Sequence, residues 1–574
     1  MLKKLYPFKK TIPYALAISL LIPSTIVQAQ EASNSIHTKP TSFNNTLEIS
    51  KIAGYSTGAM DEEGGVAEII KYNPDNKKFY LVNGKTQTLD IVSLKNLTSN
   101  GGQSLVKEKA IDIAKAVNTK SFTYGDLTSI DINTKKKVIV AAVQEKDYTK
   151  SGKIVVMDYT GKVLKTFHTG VQPDMIKMSK NGSYILTADE AEPRKGLVNG
   201  IDPEGSVTIV QYPSGKTKQV KFNDTKVIAH DVYIRNKAEK QNAIKDLEPE
   251  YIALSANNKK AYVTLQENNA VATIDIKKGK VQSVKSLGFK DHSLPQNALD
   301  AARDDKINIT TLPILGAYMP DSIAEVTING ISYLITANEG DATEWEEFVN
   351  VSEFKDIKDT ITIREGTFQG MTKQEAKNKL EMMKNDSAYN KLEVIQDMGN
   401  DAVYTYGGRS FSIWKADTME LVFDSGSDFE STTAQRYPNY FNWSNDDNTM
   451  DKRSVKKGPE PEDVKIGKVN GKLFAFIGLE RIGGIMTYDI SNPTNPVFVN
   501  YLNTRDFSQS IAGDVSPEGL EFIPAHMSPN LKPLILAGYE VSGTVSINEM
   551  NSKPFNSSKL KYTQQTKQEI KHPK

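Results

Sequence analysis

Residues 173–190 read PDMIKMSKNGSYILTADE, and this stretch decides the fold. Pro173-Asp174 opens an apolar run, Asn181-Gly182 marks a turn, and a second apolar run ends at Glu190. Two short runs of strand-forming residues on either side of a turn predict a β-hairpin. One acidic residue therefore stands at the start of the first strand, and another stands at the end of the second.

The same pattern recurs along the chain. In five clear copies an acidic residue follows proline, and a second acidic residue comes 16 to 22 positions later. The other acidic pairs are Glu250 with Glu267, Asp321 with Glu339, Glu462 with Glu480, and Glu518 with Glu540. Two weaker copies, at residues 68–83 and 128–145, bring the number of predicted hairpins to seven.

Each hairpin is followed by a third segment that alternates apolar and polar residues, as in residues 205–211 and 484–490. Such alternation is typical of a strand in a sheet with two unlike faces. Six of the seven are followed by a fourth segment, so repeated four-stranded units predict an all-β, seven-bladed β-propeller. A β-sandwich would also contain hairpins, and a parallel α/β fold would need helices between the strands.

The seventh unit lacks a fourth strand, whereas residues 47–54 form a strand pattern with no unit of their own. Pairing this N-terminal segment with residues 543–547 would close the ring and remove two open edges. A sandwich does not predict this spare strand. We therefore expect the propeller to occupy residues 47–550 and to be closed by its N-terminal strand.

Two insertions interrupt the repeat, at residues 341–408 in the fifth blade and at residues 427–459. In the first, Thr372 and Glu375 form a capping-box pattern, which predicts a helix over residues 372–384. The second is acidic and aromatic without periodicity, and it is interpreted as a long loop. Long loops on a rigid scaffold tend to carry recognition.

The N-terminal region has the layout of a secretory signal peptide. Lysines precede an apolar run that is broken by Pro23, and small residues follow it near Ala29. A retained membrane anchor is the rival interpretation, but the apolar run is shorter than the roughly 20 residues that a bilayer span needs. We expect a signal peptide at residues 1–29, a linker at 30–46 and a polar tail at 551–574. The mature protein is then secreted and extracellular, free or surface-associated, with no transmembrane segment after signal cleavage.

The composition excludes several classes of site. The chain has no cysteine, which excludes disulfides, zinc–thiolate sites and cysteine nucleophiles. No two of the six histidines lie at ligand spacing, and glycine-rich phosphate loops are absent, so neither a nucleotide nor a haem site is expected. A formal net charge of +1 argues against nucleic acid as a partner. An extracellular or cell-surface ligand is the partner that remains.

The repeated carboxylates are the candidate site. Since a hairpin returns the chain to the end at which it started, both acidic residues of each copy are expected at one rim of the propeller. Crowded carboxylates repel one another, and calcium accepts six to eight oxygen ligands. Two interpretations stay open, a metal-binding rim that holds Ca²⁺ and carboxylates that cap strands or pair with basic residues. The candidate metal ligands are Asp174, Glu190, Glu250, Glu267, Asp321, Glu339, Glu462, Glu480, Glu518 and Glu540.

Several of these strings resemble the choice-of-anchor I family of bacterial surface and secreted proteins. They include residues 337–341 (ANEGD), 478–481 (GLER) and 516–519 (SPEG), and the resemblance extends over about residues 45–550. The family is similar to mesenchyme-specific cell-surface glycoproteins, and some members are described as alkaline-phosphatase-like. The resemblance implies a YVTN- or WD40-like propeller and an extracellular location, and it carries over no catalytic residues.

Two functions follow from these observations. The first is a non-catalytic binding protein that engages a surface or phosphate-bearing ligand at its acidic rim. The alternative is a calcium-dependent phosphoesterase in which the cation polarises a phosphoryl oxygen and Arg409 or Arg481 grips the phosphate. A match to the G-x-S-x-G pattern at residues 54–58 lacks the helix that a nucleophile elbow requires. No base or nucleophile is recognisable, and the binding protein is the favoured interpretation.

Overall fold

The computed structural model describes residues 47–197, 200–235, 243–345, 348–446 and 448–552. The predicted signal peptide and linker, and the tail beyond residue 552, lie outside these residues. None of the described helices is long and apolar enough to cross a membrane.

Strands dominate the described chain. The strands up to residue 221 are β1 (Leu47–Ser56), β2 (Ile70–Asn73), β3 (Lys78–Asn83), β4 (Thr88–Ser93), β5 (Gln103–Leu105), β6 (Lys107–Asp112), β7 (Tyr124–Asn133), β8 (Val138–Glu145), β9 (Ser151–Met157), β10 (Val163–Val171), β11 (Pro173–Met178), β12 (Tyr184–Asp189), β13 (Ser206–Gln211) and β14 (Lys216–Lys221). The strands from residue 252 to residue 353 are β15 (Ile252–Leu254), β16 (Lys260–Leu265), β17 (Ala270–Asp275), β18 (Lys280–Ser286), β19 (Phe289–Asp291), β20 (Ile314–Ala317), β21 (Ile323–Ile328), β22 (Ile331–Asn338), β23 (Glu344–Trp345), β24 (Phe348–Val349) and β25 (Val351–Glu353). The strands beyond residue 392 are β26 (Glu393–Ile395), β27 (Val403–Tyr406), β28 (Ser410–Lys415), β29 (Leu421–Asp424), β30 (Pro461–Val469), β31 (Lys472–Leu479), β32 (Ile485–Asp489), β33 (Val497–Leu502), β34 (Pro517–Ile523), β35 (Leu534–Tyr539) and β36 (Thr544–Ser552).

Seven sheets formed by the described residues have four or five strands, and we number them sheets 1 to 7 in chain order. Their strand orders are β2-β3-β4-β6, β7-β8-β9-β10, β11-β12-β13-β14, β15-β16-β17-β18, β21-β22-β28-β29, β30-β31-β32-β33 and β34-β35-β36-β1-β5. Each of the seven predicted hairpins forms the first two strands of one sheet. The first strands contact one another in cyclic order, from β2 round to β34 and back to β2. Antiparallel sheets arranged radially about their first strands form a β-propeller, as predicted.

The N-terminal strand completes sheet 7. β1 pairs antiparallel with β36, from Leu47 opposite Ser552 to Ser56 opposite Thr544. The Tyr55 hydroxyl donates a 3.0 Å hydrogen bond to Asp90 in sheet 1, which ties the closing strand to its neighbour. The predicted closure is confirmed, and the short β5, which pairs parallel to β1, was not foreseen.

Burial follows the position of each strand in its sheet. All eight residues of β8 are buried, because both faces of this strand are covered by the adjacent sheets. In the outermost strand β14 only Val220 is buried. The core therefore lies between sheets, and the outer edges face solvent.

The helices lie mainly in the insertions. They are α1 (Ile113–Val117), α2 (Ala243–Asp246), α3 (Phe354–Ile357), α4 (Lys373–Asn385) and α5 (Asp428–Arg436). The Thr372–Glu375 capping box of α4 is present with both reciprocal hydrogen bonds, so the predicted helix is confirmed. The interpretation of residues 427–459 as loop alone is wrong, because α5 buries Phe429, Glu430 and Thr433 against the propeller.

Candidate functional site

The predicted acidic residues lie at equivalent places in the sheets. Asp174, Glu462 and Glu518 belong to first strands, whereas Glu250 and Asp321 lie just before the first strands β15 and β21. Their partners Glu190, Glu267, Glu339, Glu480 and Glu540 directly follow or closely follow the second strands β12, β16, β22, β31 and β35. The register pairs the two ends, for example Pro173 with Asp189 and Pro517 with Tyr539. We call these ten residues the carboxylate rim.

The Pro–acidic motif coincides with a break in the strand register. In β11, β30 and β34 the pairing shifts immediately after Pro173, Pro461 and Pro517. Proline has no N–H to give to a ladder, and an irregular strand start re-aims the next side chain. In these three strands the motif therefore gives the acidic side chain a direction that differs from the regular alternation of side chains in the sheet.

One part of the carboxylate rim has the geometry of a cation site. Glu339, Glu462 and Glu480 each place one carboxylate oxygen within 4.8 Å of the others. Their exposed fractions are 3%, 1% and 3%. Calcium–oxygen distances of about 2.4 Å allow two ligands of one ion to lie up to about 4.8 Å apart. The three oxygens are thus close enough to share a single divalent cation.

Glu462 is the most unusual member of this cluster. Among the residues that the structure describes, neither of its carboxylate oxygens has a hydrogen-bond partner, although both are buried. Burial, and then the charges of Glu339, Glu518, Asp321 and Glu480, raise the pKa of Glu462 well above its ordinary value. A buried acceptor without a partner is costly. Either a proton or a cation must compensate this charge.

Basic residues compensate the other two members. The Lys457 ammonium lies 2.8 Å from Oε1 of Glu339 and 3.4 Å from Oε2 of Glu460. Arg481 lies 3.0 Å from Oε1 of Glu480 and donates to Glu460 at 2.8 Å. Lys457 and Glu460 were not singled out from the sequence. Lys457 lies at the end of the second insertion, which had been interpreted as loop, and Glu460 directly follows it.

A second group of carboxylates lines a cavity of about 40 Å³ at the centre of the ring. Its acidic members are Glu68, Asp174, Asp321 and Glu518. Burial, together with Asp126, Glu540 and Asp174, raises the pKa of Glu68 to about 8. Glu68 was missed because no proline precedes it, although it stands two residues before β2 as Glu250 stands before β15. This two-residue offset from the strand start is the sequence signal that could have identified Glu68.

The remaining rim residues are more scattered. Glu250 and Glu267 each bury one oxygen that has no hydrogen-bond partner in the described part of the chain, and burial raises the pKa of Glu267 to about 7. Glu190 has a raised pKa from burial and from the nearby Glu192. Glu540 accepts hydrogen bonds from Gly65 and Ser516. The rim is therefore a chain of neighbouring carboxylates, with one compact triad.

The two candidate phosphate-binding arginines are engaged by the protein. Arg409 is 3% exposed, and it donates to Glu430 and to the carbonyl oxygens of Asp300, Ser454 and Lys456. Arg481 binds glutamates on both sides, as described above. A phosphate at either guanidinium would have to displace these acceptors. The contacts give both arginines a structural part that the sequence did not reveal.

Comparisons with known proteins agree with the motifs. Gigasin-3a of Magallana gigas is 32% identical over 192 residues, which cover 30% of this chain and 68% of that protein. The mesenchyme-specific cell surface glycoprotein of Strongylocentrotus purpuratus is 29% identical over 110 residues, and the match covers 17% of this chain and 14% of that protein.

Among solved structures, hydrazine synthase of Kuenenia stuttgartiensis has a TM-score of 0.43 at 11% identity, covering 86% of this chain and 97% of that one. The β-propeller domain of Myceliophteria thermophila Cps50 (Swd1) has a TM-score of 0.40 at 8% identity, covering 86% and 98%. The fold assignment follows from the sheet order of the chain itself. The model of the choice-of-anchor I domain matches residues 68–493, from the start of sheet 1 to beyond the third strand of sheet 6. This match spans most of the propeller and includes the triad, and the chain therefore belongs to the choice-of-anchor I family.

Proposed function

We propose that this protein is an extracellular, non-catalytic binding propeller whose carboxylate rim holds a calcium ion and engages a surface ligand there. The family, and a relative named as a cell surface glycoprotein, support the extracellular location. The calcium site is the triad Glu339, Glu462 and Glu480. Water molecules would complete the six to eight ligands that calcium prefers.

The buried, unpartnered carboxylate of Glu462 carries the proposal. Lys457 compensates Glu339 and Arg481 compensates Glu480, whereas the described residues provide no cation for Glu462. A divalent ion among the three oxygens would neutralise Glu462 and satisfy its lone pairs. The ligand set consists of hard oxygen donors, which favours calcium over transition metals.

The test compares unfolding of the purified protein in calcium and in excess chelator. Because the triad combines Glu339 of sheet 5 with Glu462 and Glu480 of sheet 6, the unfolded chain cannot reproduce the site. Calcium at a hundredfold excess over its dissociation constant should stabilise the fold by about 2.7 kcal/mol. Glu462→Gln removes the central ligand without breaking a hydrogen bond, and it should abolish most of this gain.

The matched control is Glu381→Gln on α4, where the side chain is exposed. Its calcium response should equal that of the natural protein. If the triad only shares protons, the natural protein will unfold identically in calcium and in chelator. Glu462→Gln will then be more stable than the natural protein in both solutions, and the calcium site is wrong.

The phosphoesterase alternative has no observation of its own among the described residues. Both of its candidate phosphate-binding arginines already donate to acceptors within the protein. A panel of phosphomonoesters and phosphodiesters, assayed with and without calcium, tests it directly. If the natural protein hydrolyses one of these esters and Glu462→Gln does not, the protein is an enzyme and the non-catalytic binding function is wrong.

A further inference from the structure

We propose that the outer edges of sheets 2, 3 and 4 form a binding surface for a linear polymer of phosphate groups. The surface consists of the outermost strands β10, β14 and β18, and it is independent of the calcium site. Its basic residues, which we call the lysine belt, are Lys165, Lys216, Lys218, Lys221, Lys280 and Lys285.

Charge is segregated on this part of the molecule. The three strands contain six lysines and no aspartate or glutamate, although the whole chain has a net charge of only +1. The outermost strands of sheets 5 and 6, β29 and β33, contain no lysine. Five lysines of the belt are exposed and Lys285 is half-buried. The positive field is therefore local to three neighbouring sheets.

Three lysines of the belt are held across the sheet boundaries by neutral acceptors. Lys165 donates to the carbonyl oxygen of Pro213 at 2.8 Å, and Lys218 donates to that of Lys278 at 2.9 Å. Lys285 donates to the carbonyl oxygen of Asp417 at 3.0 Å. Each acceptor lies in the turn between the third and fourth strands of the following sheet. These bonds fix the ammonium groups in place without cancelling their charge.

Few carboxylates neutralise the belt. Among the described residues Lys221 forms an ion pair with Glu204. The described part of the chain shows no ion pair for the other five lysines. Such clustered positive charge raises the local concentration of anions. A small anion would gain little from a surface this wide, whereas a polymer would contact several lysines at once.

The belt offers lysine ammonium groups to the phosphates of such a polymer. The three strands contain no arginine, which binds carboxylates and phosphates alike through paired hydrogen bonds, so the cationic contacts of the belt come from lysine. Lysine supplies a compact point charge, which suits phosphate oxygens. The exposed hydroxyl group of Thr166 stands beside Lys165 on the same strand and can donate to a further oxygen.

The test measures binding of inorganic polyphosphate by the full chain, with polygalacturonate of equal charge as the comparison polymer. The belt variant is Lys216→Gln with Lys218→Gln and Lys280→Gln. The control variant is Lys373→Gln with Lys377→Gln and Lys468→Gln, three exposed lysines elsewhere. Both variants lose three charges. We expect about tenfold weaker polyphosphate binding, or more, for the belt variant and no more than about a twofold change for the control.

Binding should also weaken as salt is raised, less steeply for the belt variant than for the natural protein. Equal losses of polyphosphate affinity in the two variants would show that binding depends on net charge alone, and the proposed binding surface would be wrong. Equal affinity for polygalacturonate would overturn the phosphate assignment, and undetectable polyphosphate binding would overturn both. If the triple belt variant does not fold, Lys216→Gln with Lys280→Gln replaces it, since neither lysine makes a described side-chain hydrogen bond. All binding is measured in chelator, so that failure of the calcium site leaves this test intact.

Discussion

The ammonium of Lys457 lies 2.8 Å from Oε1 of Glu339, and it joins the end of the second insertion to the second strand of sheet 5. It also lies 3.7 Å from Asp341 and donates to the carbonyl oxygen of Gly340. A buried ammonium among several carboxylates replaces part of the charge that a metal ion would bring. Lys457 therefore links the insertion to the electrostatic balance of the triad.

Lys457→Met should destabilise the protein by about 3–5 kcal/mol in chelator, because the buried carboxylate of Glu339 loses its cation. Added calcium should recover a part of that loss, since the triad then carries more uncompensated charge. Urea unfolding with and without calcium measures both effects. An unchanged unfolding midpoint in chelator would contradict the assigned role.

In chelator, stability should fall as pH rises from about 4.5 to about 8. The folded protein raises the pKa of Glu68 from 4.5 to about 8, so it retains a proton that the unfolded chain releases in this window. The retained proton stabilises the fold at low pH, and this contribution is lost as pH rises through the folded pKa. Glu68→Gln should flatten the dependence by up to about 1.4 kcal/mol per pH unit. The control is Glu63→Gln, which replaces an exposed residue of the same loop. If both variants show the same pH dependence of stability, the dependence does not come from Glu68 in the cavity.

Removing residues 47–56 should cause aggregation or dimerisation. The deletion leaves β36 as an open edge over nine residue pairs and exposes the apolar neighbours of Leu47 and Ile49. Size-exclusion chromatography measures the state, and a synthetic peptide of residues 47–56 should restore the monomer. A monomeric deletion variant with the natural melting temperature would show that closure does not matter.

Arg409→Met should destabilise the fold by about 3–5 kcal/mol, because Glu430, which is 2% exposed, loses its cationic partner. A guanidinium kept for a phosphate ligand would instead be replaceable at little cost in stability. Arg436→Met, at the exposed end of α5, is the matched control and should change stability by less than about 0.5 kcal/mol. Thermal unfolding of the two variants separates the alternatives.

Local patterns predicted the regular parts of this fold well. The hairpin of residues 173–190 forms as expected, with the Ser179 hydroxyl accepting from the backbone of Ser183 and Tyr184 across the turn. The capping box of α4 could also be predicted from the sequence, because its hydrogen bonds join residues three positions apart. Helix α5 was missed because its buried side chains contact the propeller and leave no clear apolar stripe in the sequence.

The sequence by itself determined the repeat, the closing strand and the positions of the carboxylates, because each rests on spacing along one chain. The tertiary structure decided which carboxylates meet. Glu339 directly follows β22 of sheet 5, whereas Glu462 near the start of β30 and Glu480 directly after β31 belong to sheet 6. It also decided that Lys457 compensates Glu339 and that Arg409 is occupied, since these partners lie 118 and 21 residues apart along the chain. Strand formation depends on neighbouring residues, whereas the charge and solvation of a buried side chain depend on whatever the fold brings beside it.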